Sequence, residues 1–162
     1  VEPIQIPDDF LDQTPKGRPL ATETVMNVIR TADLLFDGIG RLLRPLGVST
    51  AGGLVLGLLR DHGPLSPTAL GEKLIVTRAT VTGLVDSLER RKLVERSPHP
   101  QDRRSLLIRI TPIGLEVLSE VRRVVHDQER DWMRGFSDAE LTTLIAALHR
   151  VQRSVSEGVA GD

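Results

Sequence analysis

The sequence predicts a mainly α-helical fold with a small β-ribbon: a winged helix-turn-helix core flanked by long N- and C-terminal dimerisation helices. Three observations carry that expectation. Cysteine and tyrosine are absent and the only aromatics are Phe10, Phe36, Phe136 and Trp132, so any core must be aliphatic, as in packed helices. Two short helical patterns, one after the other between Ser66 and Arg91, have the spacing of a helix-turn-helix. Convincing strand-like sequence occurs only at 93–96 and 104–110, separated by the proline-containing loop "SPHPQDR".

Each element follows from local chemistry. Residues 1–20 hold four prolines and no sustained period, and read as an extended arm. Val25, Ile29, Ala32, Leu35, Phe36, Ile39, Leu42 and Leu43 recur at the helical period, and Pro45 and Gly47 end that helix. Ser49 caps a second helix that closes at Asp61-His62-Gly63-Pro64. Ser66-Pro67 pairs an N-cap hydroxyl with proline at the first helical position, opening a short helix over 66–73. Thr77 caps the next, which turns Val81, Leu84, Val85 and Leu88 inward; the turn before it lacks the glycine often found there. In the return strand Leu106, Ile108 and Ile110 share one face and are expected to anchor it to the core. Thr111-Pro112 opens a long helix to about Arg134, and Ser137-Asp138-Ala139-Glu140 has capping-box spacing for a last one. The expected division is an arm at 1–20, a dimerisation helix at 21–48, the winged module at 49–111 and C-terminal dimerisation helices at 112–162. The flanking helices are too long and too apolar for a module of this size alone, and a homodimer interface accounts for them.

At 162 residues the chain is long enough for a real core. No stretch approaches the ~20 uninterrupted apolar residues that span a bilayer, and no signal-peptide pattern is present, so the expected location is cytoplasmic, with the nucleoid, and not the membrane. Without cysteine, disulfides, thiolate zinc sites and thiol redox sensing are excluded. No catalytic triad, phosphate loop or carboxylate pair can be placed, so an enzyme is not expected. His62, His99, His126 and His149 have no metal-ligand spacing, and no metal or other cofactor is expected. The net charge of −1 hides an asymmetry: residues 73–110 carry nine Lys/Arg against four acids. A basic segment within an acidic body is a local electrostatic footprint, consistent with a nucleic-acid partner.

Residues 50–115 resemble the MarR (multiple antibiotic resistance regulator) family of bacterial transcription factors. The likeness lies in "LGEKLIVTRATVTGLVDSLERRKLVER" and "PQDRRSLLIRITPIGLEVL", the second holding the family's wing signature as Asp102, Arg104, Thr111 and Gly114. Lys92 stands where the family usually has glycine. In a left-handed conformation it would cost about 1 kcal/mol, unless the helix ends differently or the cation gains by reaching a phosphate. The resemblance implies that this partner is double-stranded DNA, and a homodimer whose recognition helices enter successive major grooves and whose wings reach flanking minor grooves. It also implies repression relieved by a small, often aromatic and anionic effector, bound in a cleft between the first, second and fifth helices. The lining residues of that cleft are not legible.

The inward set places Ala79, Thr82, Gly83 and Asp86 at the centre of the outward face of the recognition helix, with Arg78 and Thr80 beside it. Arg78, Ala79 and Thr82 are the base-edge candidates: arginine for guanine, and Ala79 or the Thr82 methyl for thymine. In the wing, Arg104 reads as a minor-groove probe braced by Asp102, with Arg103 on a phosphate. Ser66, Thr68 and Thr77 sit at helix starts where phosphates bind, although capping alone accounts for all three. Arg90, Arg91 and Lys92 are further phosphate candidates, at least one of them being plain surface. The rival is a winged-helix protein-interaction module without DNA binding, against which the basic segment argues.

Overall fold

The structure is a computed structural model that describes residues 2–10, 17–98 and 106–159. It divides into two compact units, Val1–Val124 and Val125–Asp162. The elements are α1 (Pro19–Leu43), a 3-10 turn (Arg44–Leu46), α2 (Thr50–His62), α3 (Pro67–Leu74), α4 (Arg78–Arg90), β1 (Val94–Pro98), β2 (Leu106–Ile110), α5 (Pro112–Trp132) and α6 (Asp138–Val159). This is the mainly α winged helix-turn-helix that the sequence predicts. No single described helix is long and apolar enough to cross a membrane.

The hydroxyl caps sit where the sequence puts them. Ser49 Oγ accepts from the Gly52 amide at 3.0 Å, Ser66 Oγ from Ala69 at 3.2 Å and Thr77 Oγ1 from Thr80 at 3.2 Å. Each satisfies one of the amides that a helix start leaves without a partner. In the second unit the Ser137 amide donates to Glu140 Oε2 at 2.8 Å, and the Glu140 amide returns to Ser137 Oγ at 3.4 Å. That reciprocal box holds the Glu140 carboxyl below its ordinary range, chiefly through the Ser137 hydroxyl bond.

The arm is tied to α1 by Asn27, whose side chain accepts from the Ile4 amide at 3.0 Å and donates to the Ile4 carbonyl at 2.8 Å. The core of the first unit is entirely aliphatic, with Val55, Leu56, Leu59, Leu70, Val81, Val85, Leu93 and Ile108 all but sealed from solvent. In β2 only Ile108 is fully buried. Ile110 packs against the cluster, but Leu106 is exposed, contrary to the expected anchoring of all three. β1 pairs antiparallel with β2, Val94 facing Ile110 and Pro98 facing Leu106. β1 begins one residue later than the alternation predicts, at Val94, and β2 is described from Leu106, the expected start at 104 lying outside the described residues. Leu65 adds a bridge on the other edge of β2, its amide donating to Ile108 at 3.1 Å and its carbonyl accepting at 2.8 Å.

Three helix ends use the same device. Gly47, Ile75 and Lys92 each adopt a left-handed φ (64°, 55° and 60°). Around each runs the paired Schellman hydrogen bonding: Gly47 to Arg44 with Val48 to Leu43, Ile75 to Glu72 with Val76 to Gly71, Lys92 to Glu89 with Leu93 to Leu88.

The start of α5 is locked onto the last of these turns. Thr111 Oγ1 donates to the Lys92 carbonyl at 2.6 Å, the Thr111 amide donates to Leu93 at 3.0 Å, and Thr111 Oγ1 accepts from Gly114 at 3.0 Å. Gly114 is required there, because a Cβ would stand 2.1 Å from the Leu93 carbonyl oxygen. Gly114→Ala is therefore expected to lower stability by about 2–3 kcal/mol, the scale of overpacking a rigid site. Urea unfolding reads this as a lower midpoint at unchanged slope. A variant as stable as the parent would contradict the account.

Candidate nucleic-acid interface

α3, the turn at Ile75–Val76 and α4 form the helix-turn-helix. Val81, Val85 and Leu88 are buried and Leu84 is half-buried, which leaves Arg78, Ala79, Thr80, Thr82 and Gly83 exposed together. Arg78 has no partner among the described residues, and the Thr82 hydroxyl donates to the Arg78 carbonyl at 3.1 Å. With its proton committed, Thr82 offers a contact its methyl group and its remaining oxygen lone pair. The Thr77 and Thr80 hydroxyls lie 2.9 Å apart, so Thr80 is tied to the cap rather than extended outward.

Four features of this module work against its own stability. Ile75 is a β-branched residue in the left-handed region, a cost of about 1–2 kcal/mol, and its side chain is 92% exposed. Arg78 puts a cation on the first turn of α4, the positive end of the helix dipole. Gly83 interrupts a helix although a Cβ there would meet nothing within 4 Å, forgoing about 1 kcal/mol relative to alanine. Lys92 carries its side chain in a left-handed position, the strained alternative that its place in the sequence raised. All four are exposed, and all four lie within or beside α4.

Asp86 departs from its expected place at the centre of the outward face. It is half-buried and, with Glu89, ion-paired to Arg96 on β1. The pairing, led by the Asp86 hydrogen bond, holds the Arg96 guanidinium more firmly protonated than usual. It also neutralises two carboxylates on α4 and fixes the hairpin against that helix. Arg91 is likewise not a phosphate candidate, since its guanidinium donates to the carbonyls of Leu46 (2.8 Å) and Gly47. Arg90 and Lys92 remain exposed, as does Thr68 at the start of α3. The expected wing contacts Asp102, Arg103 and Arg104 lie outside the described residues. Among those described, no group of three or more His, Asp or Glu side chains could hold a metal ion.

Beside α4, on its C-terminal half, is a cleft of about 780 Å3 between α1, α2 and α4. Phe36, Arg41, Arg44, Leu84 and Arg91 contribute to its walls, and α5 contributes nothing, which differs from the expected cleft of the first, second and fifth helices. Within it Arg41 is paired with Asp37, whereas Arg44 has no side-chain partner among the described residues.

Residues 51–106 match the family model described as the MarR family. The HTH-type transcriptional regulator PecS of Dickeya dadantii is 30% identical over 152 residues, covering 90% of this chain and 92% of PecS. This chain belongs to the MarR family. Two other curated relatives match over shorter stretches, and the chain spans 62% and 38% of their lengths. Its fold matches that of a MarR variant from E. coli complexed with operator DNA (TM-score 0.69, 26% identity, 79% of this chain and 95% of that one). It also matches Bordetella bronchiseptica BpsR, whose DNA binding is regulated by 6-hydroxynicotinic acid (TM-score 0.71, 25% identity, 77% and 89%). PecS is named as a transcriptional regulator.

The residues singled out from the sequence thus fall into two groups here. Thr111 and Gly114 are structural, locking α5 onto the end of α4, while Arg78, Ala79, Thr82 and Gly83 form the open face. Gly83→Ala is expected to raise the melting temperature, by the equivalent of about 0.5–1 kcal/mol, and at the same time to weaken operator binding. Calorimetry and a mobility-shift titration read the two effects. A variant with added stability and undiminished affinity would contradict the reading that Gly83 is kept small so that DNA can approach α4 closely.

Proposed function

We propose that this MarR-family protein is a sequence-specific DNA-binding repressor, acting as a homodimer on a pseudo-palindromic operator and released by a small anionic aromatic effector. The observation that carries DNA binding is the exposed first half of α4, with Arg78, which has no partner among the described residues, beside small residues, within a segment of net charge +5 (nine cations, four acids over residues 73–110). Arg78 pairs with a guanine edge, Ala79 and the Thr82 methyl meet thymine, and the exposed Thr68, Arg90 and Lys92 contact phosphates. Ser66 and Thr77 serve first as caps. Asp102, Arg103 and Arg104 form the wing, Arg104 in the minor groove.

The dimer reading rests on apolar surface left open in one chain. Val25, Ile29 and Phe36 on α1 are about half exposed, and on α6 Leu144, Val151 and Val155 form an exposed stripe at helical spacing. The effector is placed in the cleft between α1, α2 and α4. Arg44, without a side-chain partner among the described residues, suits an anion even with Asp33 and Asp37 in the same lining, Phe36 suits a ring, and any occupant bears on Leu84 and Leu88 of the recognition helix. BpsR, regulated by an aromatic acid, supports that class.

A mobility-shift titration on the region upstream of its own gene tests the proposal. The chain is expected to bind with an affinity that falls steeply with salt, and a set of phenolic acids is expected to contain one that releases it. Arg104→Ala should lose tenfold or more in affinity while keeping its melting temperature, on the scale of about 1–3 kcal/mol for a specific contact. Absence of any shift favours the protein-interaction module, and full affinity in the Arg104 variant removes the wing from the reading.

A further inference from the structure

Ile75 is the least explained side chain in the described structure. The Schellman turn it occupies is satisfied by glycine at Gly47 in the same chain, so nothing in the motif calls for a larger residue. At 92% exposure its side chain gains no packing that offsets a left-handed, β-branched backbone. Its neighbour Val76 is also 36% exposed, so the turn presents an apolar knuckle to solvent. That knuckle adjoins the open face of α4, because Ile75, Val76, Thr77 and Arg78 line one shallow depression together with Pro67 and Thr68. A phosphate is a poor neighbour for it, since burying phosphate oxygens against an alkyl group leaves them without hydrogen bonds. Along the major-groove edge of B-DNA one group is apolar, the C5-methyl of thymine.

We propose that Ile75 is a specificity-determining residue that contacts a thymine methyl in each half-site, one step outside the base read by Arg78. The inference rests on the DNA-binding reading above and extends base recognition from α4 into the turn that precedes it. The strained conformation then has a function: it projects a branched alkyl group where glycine would leave a gap.

The test uses the full chain and an operator fragment to which it binds. Each thymine of one half-site is replaced in turn by deoxyuridine, which removes only the methyl group, and affinities are measured for the parent and for Ile75→Gly. In the parent, one replacement is expected to weaken binding about fourfold, the scale of one buried methyl group. In Ile75→Gly that same replacement should have no further effect, the variant should bind the unmodified operator correspondingly less well, and its melting temperature should be equal or higher. Equal deoxyuridine effects in both proteins, unchanged operator affinity, or a loss shared by unrelated DNA would each overturn the assignment while leaving DNA binding intact. Failure of the parent to bind any DNA would remove the underlying reading as well.

Discussion

The fold turns on the few backbone groups where α4 ends and α5 begins. Lys92, left-handed, swings the chain out of α4, and its carbonyl and that of Leu93 are taken up by Thr111. Thr111 in turn caps α5 through Gly114, whose missing Cβ lets the helix start against the Leu93 carbonyl. The base of the hairpin, Val94 opposite Ile110, lies directly beside this knot. One cluster of main-chain bonds therefore indexes three things to one another: the end of the recognition helix, the root of the wing and the start of α5. The Leu93 and Gly114 ends of this cluster are buried and the Thr111–Lys92 bond is exposed, so a lost bond costs most at Leu93 and Gly114. Arg96, clamped to Asp86 and Glu89, repeats the connection between wing and helix a turn further along.

Against that lock, the surface of the module is built with little regard for its own stability. Several glycines elsewhere serve packing or backbone geometry: Gly47 takes a left-handed turn under Arg91, Gly53 lies against Leu43 and Gly114 against Leu93, whereas Gly57 in α2, like Gly83, would meet nothing with an added Cβ. Gly83 has no such neighbour, Ile75 and Lys92 stand where glycine would be easier, and Arg78 opposes the helix dipole. Local rules broken together within and at both ends of one exposed helix mark a functional surface, because each violation is retained only where something outside the fold compensates for it. On the proposed reading that compensation is DNA, and the rigid knot behind α4 keeps the violations from loosening the module.

Much of this was legible from residue order. Ser49, Ser66, Thr77, Thr111 and Ser137 announce helix starts because a short hydroxyl side chain meets a free amide only at that geometry, and proline after Ser66 and Thr111 confirms the register. The inward face of α4 follows from helical spacing. What escaped depends on contacts between distant segments. The Leu65 bridge to Ile108 involves a single residue and has no period to detect. Arg91 reads as one of three consecutive cations, yet Leu46 and Gly47, over forty positions away, claim it. Asp86 sits on the outward side by angle alone, and only the hairpin's return brings Arg96 to it. Leu106 keeps the strand alternation but stands opposite Pro98 at the last described pair of the ribbon, where it is exposed. The wing residues Asp102, Arg103 and Arg104 stay where the sequence left them, as a reading of motif and charge.

The central claim is that two copies of α4, held by this knot, read successive major grooves. Dimethyl sulfate probing of guanine N7 on a bound operator fragment tests it most directly, since that atom faces the major groove. The account predicts two protected patches on one face of the duplex, centred about ten base pairs apart. A single patch, or a bound fragment whose guanines stay fully reactive, would contradict it.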